Sequence, residues 1–209
     1  MVFCYIVGAS PEAVRIRPRP GDFLIAADGG LEHLARWGLR PDLLIGDLDS
    51  LNAIPEGVPR KQFPREKDDT DLSLALEEAF LRPRENIIIT GAWGGRPDHS
   101  VANLQLLVKA ARRGHFAQML CGGYTAAAIA DGGALRLKGH GAVSVFAHGG
   151  EARGVAIRGL EYPLENAILR DDTPLGVSNT LSGEGEITLE HGALLIFYQE
   201  GICVKAFHA

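Results

Sequence analysis

The strongest constraint on the fold is a set of short runs early in the chain that are apolar or β-branched at nearly every position. FCYIV (Phe3–Val7), FLIAA (Phe23–Ala27), LLI (43–45), NIIIT (Asn86–Thr90) and QML (118–120) lack the alternation of a strand with one wet face, so they read as strands buried on both sides. Strands of that kind belong to a mostly parallel sheet covered by crossover helices. Helical stripes lie between them: Leu31, Leu34 and Ala35; Leu72, Ala75, Leu76, Ala79 and Phe80; then Val101, Leu104, Leu107, Val108 and Ala111. Helix stops follow each stripe in Gly38, Pro83 and Gly114.

Beyond Cys121 the texture changes. YTAAAIA, ALRLKG, AVSVFA, EARGVAIRG, GEITLEHG and ALLIFYQEG are β-prone runs separated by Gly, Asp and Asn, with no long helical pattern among them. Turn signals at roughly ten-residue spacing predict a small antiparallel sandwich or barrel. The expected organisation is an α/β domain with a mostly parallel sheet at residues 1–122, then a small all-β domain at 123–209, with Gly122 and Gly123 permitting the bend between them.

Composition narrows the function classes. The 209 residues carry a net charge of -5, and the Lys and Arg residues form no block, which disfavours a nucleic-acid partner. No run approaches the ~20 apolar residues that cross a bilayer, so no membrane partner is expected. Three dispersed cysteines without a CxxC pair signal neither a disulfide framework nor a zinc site, and a reducing cytoplasm is the expected location.

Four clusters can carry chemistry. In LLIGDLDS, Asp47 and Asp49 stand two residues apart just past a predicted buried strand, and an extended backbone would aim both to one side. Ligands of open α/β sheets bind at that edge. Each acid alone reads equally well as a loop residue bonding nearby amides, but two facing carboxylates repel, and a shared divalent cation relieves that repulsion. In EKDDTDLSLALEEAF, Asp68, Asp69 and Asp71 crowd a helix start, where Asp68 or Asp69 can cap and Asp71 faces the sheet edge. With Asp47 and Asp49 it would complete an oxygen-rich site suited to Mg²⁺ and substrate phosphates.

The third cluster, ITGAWGGRPDHSVANLQLL, is a strand, a glycine turn and a helix. Gly91, Gly94 and Gly95 allow close backbone approach, and Arg96 offers a planar donor fork, so the segment can cradle phosphate. In the alternative account Asp98 caps the helix, His99 is a surface residue and Trp93 packs against the helix. The fourth is AADGG, where Asp28 either touches a nucleotide or caps the next helix. No Walker A loop, GxGxxG, HExxH or GxSxG occurs.

The order AADGG, IGDLDS, DDTDLSLAL, TGAWGGRPDHSVANLQLL, GLEYPL, GVSNTLSGEGEITLEHGALLIFY resembles the bacterial thiamine pyrophosphokinase family over nearly the whole chain. The resemblance implies an N-terminal α/β nucleotide domain and a C-terminal β-sandwich that binds thiamine, in a homodimer with active sites at the subunit interface. It implies transfer of pyrophosphate from ATP to the thiamine hydroxyl, giving thiamine diphosphate and AMP, with Mg²⁺. Carried onto this sequence, Asp47, Asp49 and Asp71 hold metal and phosphates. Asp28, Gly94, Arg96, Asp98 and His99 belong to the nucleotide region, and Ser178 with Asn179 faces the thiamine pyrimidine. The chain departs from many relatives at IVGASPE, around Gly8 and Ser10, and at Thr180, where an acid is common. Two rivals keep the fold with other chemistry: a nucleotide or thiamine sensor without turnover, and a Mg²⁺-dependent phosphohydrolase in which water replaces the acceptor.

Overall fold

The computed structural model describes residues 2–47, 56–64, 66, 68–82 and 86–208. The chain is mostly sheet with few helices, and it divides into two compact units. One comprises Met1–Leu106 with Ala117–Gly122, the other Leu107–Phe116 with Gly123–Ala209.

The first unit is built on strands β1 (Phe3–Val7), β2 (Phe23–Ala27), β3 (Leu43–Gly46), β4 (Arg60–Gln62), β5 (Asn86–Thr90) and β6 (Phe116–Leu120), with helices α1 (Gly30–Trp37), α2 (Asp71–Phe80) and α3 (Pro97–Arg112), although α3 from Leu107 onward and Phe116 of β6 are counted with the second. The sheet runs β4-β3-β2-β1-β5-β6. β1 pairs parallel with β2 and β5, β2 with β3, and β3 with β4. Every residue of β3 is buried, as its unbroken apolar run predicts. β4 gives no such signal, because Arg60, Lys61 and Gln62 are all exposed. Val7, Leu24, Ala26, Leu31, Leu34 and Leu44 form one apolar cluster, and Leu34 and Leu44 are fully buried, each contributing about 2 kcal/mol on burial.

Register decides where the loops emerge. Val7 lies opposite both Ala26 and Thr90, and Ala27 lies opposite Ile45. The loops after β1, β2, β3 and β5 therefore leave the sheet at one edge. Strand order reverses at β1, whose successor β2 lies on one side and β5 on the other, and such a reversal opens a crevice between the two loops.

The second unit is antiparallel throughout its described pairings. Its strands are β7 (Tyr124–Ala130), β8 (Gly133–Ala147), β9 (Ala152–Leu160), β10 (Leu164–Leu169), β11 (Asn179–Thr188), β12 (Ala193–Gln199) and β13 (Cys203–His208). The order is β10-β9-β11-β8-β12-β7, with β13 also on β8. ALRLKG and AVSVFA, expected as two strands, are one. Gly139 and Gly141 within β8 do not form a turn; a Cβ at Gly139 would lie 3.2 Å from the Gly201 carbonyl oxygen, and one at Gly141 2.7 Å from Gln199 Oε1. The glycines let the β12–β13 connection cross the strand closely. Before them β8 pairs with β13, and after them with β12. Leu135, Leu137, Val143, Val145, Leu181, Ile187, Leu194 and Ile196 form the core of this unit.

Candidate active site

The sheet edge of the first unit encloses a cleft of about 530 Å³, lined from the ends of β1, β2, β3 and β5 and from the starts of α2 and α3. Its floor is a backbone-to-backbone contact. A Cβ at Gly8 would stand 2.4 Å from the Gly91 carbonyl oxygen, and one at Gly91, where φ is +64°, would stand 2.2 Å from that of Gly8. No larger residue fits either position without separating the two loops.

Acids enter the cleft from three elements. Asp47 follows β3, and its carbonyl accepts a hydrogen bond from Gln62 Nε2 at 3.1 Å. Asp28 follows β2 at φ +44°, a left-handed conformation that costs a non-glycine residue about 1 kcal/mol or more, and strain of this kind concentrates at functional sites. Its N–H donates to the Ile45 carbonyl at 2.7 Å. Asp28 does not cap α1, whose N-cap is Gly29 with no side-chain cap bond.

At α2 the cap is Thr70, not Asp68 or Asp69. Thr70 Oγ1 accepts from Ser73 N–H at 3.1 Å, while Ser73 Oγ donates to Asp69 at 2.8 Å. Asp71 is the first helical residue and lines the cleft with Oδ1 buried. Asp49 lies outside the described residues. Among the described residues no three His, Cys, Asp or Glu side chains converge as a ready-made metal site.

The glycine loop after β5 is held from its own helix. Asn103 Nδ2 donates to the Ala92 carbonyl at 2.7 Å; Ser100 Oγ accepts from Gly94 N–H at 3.1 Å and donates to the Arg96 carbonyl at 3.2 Å. Both side chains are buried. Sequence reasoning missed them, although Ser100, Asn103 and Leu107 share helical spacing, and two polar residues continuing a buried stripe are the available signal. Pro97 opens α3, so Asp98 sits in the first turn and is not the cap. Asp98 instead takes the Arg96 fork, with Nε at 3.2 Å and an Nη at 2.5 Å. Those hydrogen bonds hold the Asp98 carboxyl below the usual carboxylate range and raise the guanidinium correspondingly. Gly94, Arg96 and His99 line the cleft directly.

The last two expected site residues lie in the second unit. Ser178 adopts φ +60°, and its N–H donates to Ser144 Oγ at 3.1 Å. Asn179 is buried, and its amide is engaged on the backbone: Oδ1 accepts from Tyr162 N–H at 3.0 Å and Thr180 N–H at 2.8 Å, and Nδ2 donates to the Tyr162 carbonyl at 2.8 Å. Asn179 thus grips the Tyr162 backbone like a neighbouring strand, and Tyr162 as a residue is 61% exposed. A second concavity of this unit, about 550 Å³, is lined by Arg136, Lys138, Arg158, Glu184 and Glu186 and includes neither Ser178 nor Asn179.

The chain matches two family descriptions in order: thiamin pyrophosphokinase, catalytic domain, over residues 19–121, and thiamin pyrophosphokinase, vitamin B1 binding domain, over residues 136–194. It is 38% identical over 91 residues to the thiamine pyrophosphokinase of Bacillus subtilis strain 168, a match spanning 41% of this chain and 42% of that protein. The crystal structure of the Bacillus subtilis enzyme aligns with TM-score 0.84 at 24% identity, covering 96% of this chain and all of that one. That from Geobacillus thermodenitrificans aligns with TM-score 0.83 at 25% identity, covering 96% of this chain and 98% of that one. With the two matched segments together spanning most of its 209 residues, the chain belongs to the thiamin pyrophosphokinase family.

Proposed function

We propose that the protein transfers the pyrophosphoryl group of ATP to the hydroxyl of thiamine, forming thiamine diphosphate and AMP. The observation that carries this reading is the single cleft in which Asp28, Asp47 and Asp71, from three elements, face a glycine loop bearing Arg96 and His99. Residues 1–122 serve as the α/β catalytic and nucleotide-binding domain. Residues 123–209 serve as the thiamine-binding domain, a small β-sandwich, in a cytoplasmic homodimer with active sites at the subunit interface.

An all-oxygen donor set suits Mg²⁺, which binds protein carboxylates together with substrate phosphate and usually keeps several waters. Asp47 and Asp71, with Asp49, would hold it, and it would neutralise charge on the phosphate oxygens. The chain's own groups do the rest. The N–H groups of the glycine loop and the Arg96 fork orient the phosphates. The thiamine oxygen attacks the β-phosphorus, the bond from that phosphorus to the α,β-bridging oxygen breaks, and the electron pair leaves with AMP. The hydroxyl proton passes to a cleft carboxylate, for which Asp71 is our assignment.

On the acceptor side, Asn179 acts through Tyr162. The exposed ring offers a π face to a cationic thiazolium or a stacking face to the pyrimidine, and Ser178 supplies the adjacent polar contact. Incubation with ATP, Mg²⁺ and thiamine tests the proposal. AMP formation that requires thiamine supports it. AMP or ADP released without thiamine indicates a phosphohydrolase, and binding without product indicates a sensor.

A further inference from the structure

We infer that His33 is a positioning residue for the donor cleft, acting through Ser10 on the glycine loop at Trp93 and Gly94. The inference rests on the reading that this cleft takes the nucleotide. His33 is a buried residue of α1 and does not line the cleft. Both its ring nitrogens are used: Nδ1 lies 3.0 Å from an Arg36 Nη, and Nε2 lies 2.9 Å from the Ser10 carbonyl oxygen. A guanidinium only donates, so Nδ1 accepts, the ring proton sits on Nε2, and Nε2–H donates to Ser10. Trp37 stacks on the ring at 5.7 Å between centroids and 23° between planes, which fixes its direction.

Ser10 carries the position onward. Its N–H donates to the Gly91 carbonyl at 2.8 Å, and its hydroxyl donates to the carbonyls of Trp93 and, at 3.2 Å, Gly94. One residue thus ties α1 to both ends of the loop that cradles phosphate in our reading. A histidine that merely filled the core would need a neutral ring of the right volume. This one requires a donor at Nε2, and the two roles separate by substitution. The glutamine side-chain amide overlays Nε2, so His33→Gln keeps the bond to Ser10. The asparagine amide overlays Nδ1, so His33→Asn loses it.

Calorimetric titration of the full-length protein with a nonhydrolysable ATP analogue and Mg²⁺ tests this. His33→Asn is expected to bind about tenfold more weakly than wild type, and His33→Gln within about twofold. Steady-state assays should show the same order in KM for ATP, with KM for thiamine unchanged. Ser10→Ala, which leaves the His33 contact intact and removes only the hydroxyl clip, should weaken the analogue as His33→Asn does, and it serves should the asparagine variant not fold. Equal analogue affinity in wild type, His33→Asn and Ser10→Ala, or equal losses in the Asn and Gln variants, would overturn the role of His33 alone. A wild-type protein that binds no nucleotide would overturn the cleft reading and this assignment with it.

Discussion

The two units use polar side chains differently. At the sheet edge of the first, Ser10, Thr90, Ser100 and Asn103 bond to loop backbone, and Asp28, Asp47 and Asp71 line the cleft. In the second, the charged side chains pair across strands in the open, as Lys138 does with Glu184 at 2.9 Å and Arg158 with Glu165 at 2.8 Å, and the buried amide of Asn179 holds a turn. The first unit separates the residues that shape a site from those that would react in it. The second, in our reading, presents an acceptor surface through the exposed Tyr162, whose backbone is gripped from beneath. Loss of a reacting group should therefore affect turnover, and loss of a gripping group should affect affinity.

The largest expected effect is that of Asp71→Asn. Turnover should fall about 10²- to 10³-fold. Thermal unfolding should be unchanged, since the cap on α2 comes from Thr70. Survival of activity with an unaltered Mg²⁺ requirement would remove Asp71 from the metal set. Next is Asn179→Ala, which releases the backbone of Tyr162. KM for thiamine should rise about tenfold, at the level of a lost buried hydrogen-bond pair, while KM for ATP stays put. Equal changes in both would mean that the two units do not divide donor from acceptor.

A smaller effect is expected at Asp98. Because Arg96 holds its carboxyl below the usual range, the pair's contribution is present above the ordinary value near pH 4 and is lost only as pH falls through the depressed one. The pair therefore adds no pH dependence to KM for ATP between about pH 5 and pH 8. Asp98→Asn should raise that KM about twofold at low salt and less at high salt, because both partners are exposed. The smallest effect belongs to Lys138→Gln in the second unit. This fully exposed pair should leave both the melting temperature and the kinetics unchanged, and a clear loss of either would mean the strand-face ladder does more than solvate the sheet.

The sequence revealed the strands of the first unit through their unbroken apolar runs, and with them the sheet edge where Asp28, Asp47 and the glycine loop would emerge. Asp71 could be singled out because it immediately precedes the apolar stripe of α2. The sequence points to Asp68 or Asp69 as the cap, whereas Thr70 is equally competent and the backbone geometry selects it. β4 was invisible because its three residues face water. In the second unit, Gly139 and Gly141 look like turn residues, whereas they serve a close crossing inside one long strand. The role of Asn179 was hidden for a different reason: its residue type alone reads as turn chemistry, only the family resemblance places it at thiamine, and neither reveals that its amide pairs with the Tyr162 backbone. His33 carried no signal at all, because its importance lies in which ring nitrogen faces Ser10.

The most direct test of the account follows the phosphorus atoms. With thiamine, Mg²⁺ and ATP labelled separately at the α and γ positions, transfer of an intact pyrophosphoryl group predicts γ label in thiamine diphosphate, α label in AMP, and equal amounts of the two products. Release of γ label as inorganic phosphate, or AMP formed in the absence of thiamine, would contradict it.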